Sequence, residues 1–268
     1  SGRYALWQGG MEPNIPVGSE KGVADGMARA VQGAEREQRE GASGKWVAHW
    51  KMVHIVRPVW ERAGEANQLG RAFPPLTYTE EDAAALFLLE PAPRTVRGAR
   101  NLLSVGLQYG NALGQGMQAA ALKPADSFGN LDVLYLMEDA ATGEIRLSIL
   151  WEWVHKRATL TENDPETEVR AGDVFTRELF ERLLAEEIEK LRRAEDRDVH
   201  DDSKETTLPI AAEIVRAYVG SAVKPPWYID LLNLSLDNHD LATARERISA
   251  YLDALAAGAR ITENLDFA

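Results

Sequence analysis

Between Val133 and Trp153 the chain passes from Val133-Leu134-Tyr135-Leu136 through Met137-Glu138-Asp139-Ala140-Ala141-Thr142 to Gly143-Glu144-Ile145 and then Trp151-Glu152-Trp153. No other stretch limits the fold as tightly. Four apolar residues in a row read as a short buried strand, and Ile145, Ile149 and Trp153 repeat at near-helical spacing from Thr142 to His155. Two acidic residues, Glu138 and Asp139, therefore fall at a strand-to-helix seam. Asp139 or Thr142 can cap the helix, because a short side-chain oxygen there accepts from backbone N–H groups that have no intrahelical partner. On the residues alone, Asp139 is a cap or a solvated charge.

Upstream, Arg3 to Trp7 is β-prone and ends at Gly9-Gly10. Val23 to Arg39 is an amphipathic helix stopped at Gly41, and Gly41 to His49 reads as a turn feeding a second short strand. Strand, helix, strand over residues 3–50 is the pattern of one β/α unit, whose ligand-contacting groups gather at the C-terminal ends of the strands. Gly44-Lys45 lacks the rest of a phosphate-binding loop. His49 and His54 are five apart, off the spacing of a helical zinc pair.

Helices are expected over 52–63, 79–89, 95–113, 176–193, 209–219, 227–236 and 241–255. Between them lie a Gly- and Pro-containing connection over 64–75, a loop over 115–130, an exposed polar excursion over 161–173 and a charged loop over 196–204. Gly106, Gly110, Gly114 and Gly116 read as close helix packing or fraying, since their spacing does not fit a nucleotide fingerprint and no strand precedes them. Glu181, Glu186, Glu187 and Glu189 alternate with Arg182 and Lys190, which reads as a salt-bridged surface.

Composition removes several function classes. The formal charge of -12 opposes non-specific binding to nucleic acid or an anionic membrane, both of which need clustered Lys and Arg. Without cysteine there is no disulfide, zinc thiolate or thiol nucleophile, and the chain fits a reducing cytoplasm. No apolar run approaches the roughly 18 residues that span a bilayer. The Ser1-Gly2 start predicts no signal peptide, and the Leu265-Asp266-Phe267-Ala268 end is not a peroxisomal address.

Three segments, in the same order along the chain, resemble malate synthases. Leu136 to Thr142, with Glu144-Ile145 and Trp151-Glu152-Trp153, is similar to the family's C-terminal signature, in which a Met-Glu-Asp segment supplies the catalytic Asp. Gly9-Gly10-Met11 with Ile15-Pro16 is similar to a Gly-Gly-Met…Ile-Pro segment at a late barrel strand. Gly41-Ala42-Ser43-Gly44-Lys45-Trp46-Val47-Ala48-His49 resembles Gly-x-x-Gly-x-Trp-Val-Ala-His, with Trp50 standing where the family usually has Pro.

The resemblance implies an α/β then all-α chain: the last β/α units of a TIM-type barrel over 1–75, then a C-terminal helical domain over 76–268 that carries the catalytic loop. It implies condensation of acetyl-CoA with glyoxylate and hydrolysis to malate and CoA, with Asp139 as catalytic acid/base and Met11, Ala48, Trp50 and Met137 at the acyl-CoA pocket. It implies Mg²⁺ holding the glyoxylate. The metal's carboxylate ligands and a catalytic Arg belong to earlier barrel strands, so an N-terminal barrel portion is the expected partner and no metal ligand is assigned here. The alternatives are another CoA-thioester enzyme, such as a malyl-CoA or citramalyl-CoA lyase relative, and a helical interaction domain in which Asp139 is only a cap.

Overall fold

A computed structural model describes residues 5–73, 77–88, 92–194, 201–231 and 240–259, which divide into two units.

The first unit is residues 1–92 together with 131–135. Strand β1 (Gly9–Glu12), helix α1 (Glu20–Arg39) and strand β2 (Lys45–Val47) form one β/α/β crossover, with β1 and β2 parallel and Gly9 opposite Lys45. The strand expected at Arg3 to Trp7 is displaced: Arg3 and Tyr4 lie outside the described residues, residues 5–8 are irregular, and Gly9-Gly10 open the strand. Gly9 is needed there because the Glu37 carboxylate fills the space a Cβ would take. Glu37 pairs with Lys45 at 2.9 Å, and both side chains are almost entirely buried. Helix α1 begins three residues before the expected Val23, because Ser19 caps it by accepting from the Gly22 N–H.

Gly41 ends the turn after α1 at φ +101°, a left-handed backbone that favours glycine, and the Phe73 ring closes over it. A 3₁₀ turn, Trp50–Met52, leads into α2 (Val53–Glu61), and α1 and α2 meet through Ala30, Ala34, Met52, Val56 and Val59. Helix α3 (Glu80–Ala85) is shorter than the expected 79–89, whose end falls outside the described residues. It buries no side chain, so only its Thr79–Asp82 capping box defines it. Residues 131–135 return to this unit through Leu131 O, which accepts from Ser19 N, and Tyr135 O, which accepts from Ile15 N. Among the described residues the unit holds one parallel strand pair, one β/α/β step, and no barrel.

The second unit is residues 93–130 and 136–268. Its helices are α4 (Val96–Gly114), α5 (Ala140–His155), α6 (Arg177–Arg193), α7 (Asp201–Glu205), α8 (Thr207–Gly220) and α9 (Leu241–Ala256). Residues 228–231 are helical, Trp227 lies just before that helix, and residues 232–236 of the helix expected over 227–236 lie outside the described residues. Helix α4 is the hub, packed on α5, α6 and α8. Leu103 and Leu107 are fully buried in it, each worth about 2 kcal/mol by area removed from water. The glycines on α4 admit neighbours: a Cβ on Gly110 would stand 3.0 Å from Ala211, and one on Gly114 would stand 3.0 Å from Thr207, both on α8.

Three expectations fail around the seam. The loop over 115–130 contains a strand, β3 (Ala120–Leu122), antiparallel to β4 (Leu136–Glu138). The apolar run over 133–136 is not itself the strand, since Val133 to Tyr135 belong to the first unit and pairing begins at Leu136. Helix α5 also turns a different face inward. Gly143, Leu147 and Leu150 are buried, whereas Ile145 is 59% exposed.

The excursion over 161–173 is less exposed than its polarity implies. Bridges Thr159–Val174 and Asp164–Val169 fold it into a hairpin whose Val169 joins the core. The glutamates of α6 do form ion pairs, yet Glu187 is fully buried between Arg100 and Lys190.

Candidate active site

Strand β4 delivers Glu138 and Asp139 to the start of α5, and the alternation of side chains along extended backbone separates them. Glu138 is buried and accepts from Arg146 at 3.0 Å. Arg146 also donates to Asn101 at 2.9 Å. Asp139 has extended backbone (φ -135°) and is the N-cap residue. Its Oδ1 accepts from the Thr142 N–H at 3.2 Å and from the Thr142 hydroxyl at 3.3 Å. Among the described residues Thr142 is its only hydrogen-bond partner, so Oδ2 is left uncommitted. The side chain is half-buried.

Below this carboxylate lies a set of tyrosines. A Cβ on Gly143 would stand 2.8 Å from the Tyr228 ring and 3.0 Å from the Tyr109 ring, so only glycine lets the first turn of α5 seat there. Burial, with the Asp139 charge nearby, raises the Tyr109 phenol above its ordinary pKa, and its hydroxyl donates to Gln118 O at 3.0 Å. Burial likewise pushes Tyr228 up. Its hydroxyl finds no hydrogen-bond partner among the described residues.

Glu144 is the most heavily bonded carboxylate near the seam. Its Oε1 accepts from the Tyr218 hydroxyl at 2.6 Å, Ser148 at 2.8 Å and Lys224 at 3.0 Å, while Oε2 accepts from the Tyr228 N–H at 2.6 Å. Burial works against the ionised form, but these bonds, led by Tyr218, outweigh it and hold the carboxyl below its ordinary range.

The expected pocket residues fall in both units. Met137 is half-buried on β4, opposite Ala121 on β3, and next to Asp139. Met11, Ala48 and Trp50 lie in the first unit. The β1–β2 pairing brings Met11 and Ala48 to neighbouring positions, since the Ala48 N–H donates to Glu12 O at 3.0 Å. Trp50 is 72% exposed, stacked on His49 at 5.8 Å. His49 is a cap, accepting from the Lys51 N–H at 3.2 Å. Among the described residues no group of three or more His, Cys, Asp or Glu side chains could hold a metal ion.

Sequence reasoning missed Arg146, Tyr218, Lys224 and Tyr228. Glu144 was visible as part of the signature, but apart from Ser148 its bonding partners lie 74 to 84 residues away, and no spacing rule reaches that far.

Residues 94–213 match the family model described as malate synthase, C-terminal. Malate synthase from Myxococcus xanthus is 30% identical over 187 residues, covering 69% of this chain and 30% of the relative. The glyoxysomal malate synthase of Zea mays is 33% identical over 190 residues, covering 68% and 30%. Malate synthase A of Escherichia coli is 29% identical over 192 residues, covering 69% and 31%. The chain thus spans under a third of the length of these relatives. With residues 94–213 of its helical unit matching the C-terminal model and curated malate synthases about 30% identical over more than two thirds of its length, the chain belongs to the malate synthase family.

Proposed function

We propose that this chain is the portion of a malate synthase that supplies the catalytic acid/base, Asp139, for condensing acetyl-CoA with glyoxylate and releasing malate and CoA. The observation that carries this is the committed and uncommitted oxygens of one carboxylate. Oδ1 is fixed by Thr142, and Oδ2 has no partner among the described residues. A base held that way can take a proton from the acetyl methyl group without first breaking an ion pair. The enolate so formed attacks the glyoxylate aldehyde carbon, and water then cleaves the thioester to release CoA. Glu138, tied to Arg146, is a structural acid.

On the family resemblance, Met11, Ala48 and Trp50 and, separately, Met137 are proposed as acyl-CoA-binding residues, with the unbranched Met side chains suited to excluding water. Residues 1–75 are proposed as part of a β/α barrel and 76–268 as the helical domain. The acidic and imidazole side chains described here do not fit a Mg²⁺ site, so no step is routed through the metal. Its ligands, the catalytic Arg and the N-terminal barrel portion are proposed to lie in segments that this sequence does not contain. No helix among the described residues is long and apolar enough to cross a membrane; the cytoplasm is the proposed compartment on the cysteine-free sequence.

The cap geometry also suits a chain in which Asp139 only starts α5. Asp139→Ser separates the two readings, because Ser caps as well as Asp but is no carboxylate base. In the complete enzyme, CoA release from acetyl-CoA and glyoxylate is lost if Asp139 is the base and retained if it is a cap.

A further inference from the structure

We infer that Glu144 is a positioning residue for the Asp139 carboxylate, acting through the first turn of α5; this rests on the acid/base reading of Asp139 proposed above. The two residues are five apart at the N-terminus of one helix. Asp139 is anchored only by Thr142, so its orientation follows wherever that first turn is held.

Glu144 provides the hold. One oxygen takes the Tyr218 hydroxyl from α8 and the Lys224 ammonium, and the other takes the Tyr228 backbone N–H. These three groups come from chain more than 70 residues downstream and fix the helix start in rotation and in height. The Tyr109 and Tyr228 rings close over Gly143 between the two acids, leaving no room for the turn to settle lower.

The bonding pattern makes the test sharp. Lys224 at Oε1 is an obligate donor, and so is the Tyr228 N–H at Oε2. An amide at position 144 therefore faces a donor with its NH₂ group whichever way it is turned. Glu144→Gln keeps shape and volume and breaks the hold.

In the 268-residue chain, Glu144→Gln is expected to keep the helical circular dichroism while hydrogen exchange at the Thr142 amide speeds up roughly 10- to 100-fold, the scale of one lost charged hydrogen bond. In the complete enzyme kcat falls while KM for acetyl-CoA stays level, which a general loss of stability would not produce. If Glu144→Gln does not fold, Lys224→Met removes one donor from the solvent-side edge of the network and is read at the same amide. Unchanged Thr142 exchange in a folded Glu144→Gln or Lys224→Met chain overturns the inference. Faster exchange with unaltered kcat leaves the positioning intact and removes Asp139 from catalysis instead.

Discussion

Arg146 reaches back two turns of α5 to donate to Glu138 at 3.0 Å, while the next residue, Asp139, has no cation partner among the described residues. Adjacent acids of one signature thus receive opposite fates. The buried one is neutralised by an arginine, and the half-buried one is held by a threonine that leaves an oxygen open.

That difference predicts opposite phenotypes. Asp139→Asn keeps the cap, since Asn caps as well as Asp, and unfolding free energy shifts by a few tenths of a kcal/mol at most. In the complete enzyme turnover falls by about 10²- to 10⁴-fold, the usual contribution of a positioned acid/base. Glu138→Ala leaves Arg146 without its buried partner and costs about 3 kcal/mol. Urea unfolding of both variants beside a CoA-release assay checks the pair.

Gly143→Ala tests the tyrosine floor. Alanine is the better helix former by about 1 kcal/mol, so on propensity alone the variant should gain stability. The new Cβ meets the Tyr228 and Tyr109 rings at 2.8 to 3.0 Å, and overpacking of that kind costs about 1–3 kcal/mol. A lower denaturation midpoint is expected, and a raised one would show that the rings yield.

Tyr228→Phe should do the reverse. The hydroxyl is fully buried with no partner among the described residues, so deleting it removes a desolvation cost of about 1 kcal/mol or more while the ring contacts with Gly143 remain. Denaturant unfolding should show a higher midpoint with an unchanged slope.

Burial separates the glutamates of α6. Glu187 is 0% exposed and pairs with Arg100 at 3.0 Å, so Glu187→Ala is expected to cost about 3 kcal/mol. Glu189 pairs with Arg193 at the surface, and Glu189→Ala should stay within about 1 kcal/mol. Equal losses in thermal unfolding would contradict the buried placement of Glu187.

Glu144 links the seam to pH. Its folded-state pKa is depressed, so its stabilising share is fully present above the ordinary glutamate value near 4.5 and is lost as pH falls through the lower folded value. Glutamine does not titrate. The stability gap between the native chain and Glu144→Gln is therefore expected to be widest near neutral pH and to narrow on acidification below that value. A gap that stays constant to pH 3 would refute the depressed pKa.

How far the sequence reached depended on whether the cause was local. Thr95, Thr176 and Asp139 could be read as helix starts because a cap bonds only two or three residues ahead. Gly41 could be read as a stop because its positive φ is a property of one residue. The packing role of Gly110 and Gly114 followed from their spacing along α4, though the partner helix did not. The motif itself singled out Asp139 and Met137.

Long-range pairing decided the rest. Ala120 to Leu122 is a strand because Leu136 to Glu138 offers it an antiparallel edge, and neither half shows this alone. The inward face of α5 runs through Gly143, Leu147 and Leu150 rather than Ile145, because two tyrosine rings lie 2.8 to 3.0 Å from where a Cβ on Gly143 would stand. Glu187 reads as a helix-surface acid, and Glu144 only as part of the signature, until chain 80 or so residues distant brings donors to them. The sequence by itself marked the short-range helix caps and, through the family resemblance, nominated Asp139. Only the tertiary structure decided which acids are buried and paired, because desolvation and ion pairing depend on neighbours that no local spacing specifies.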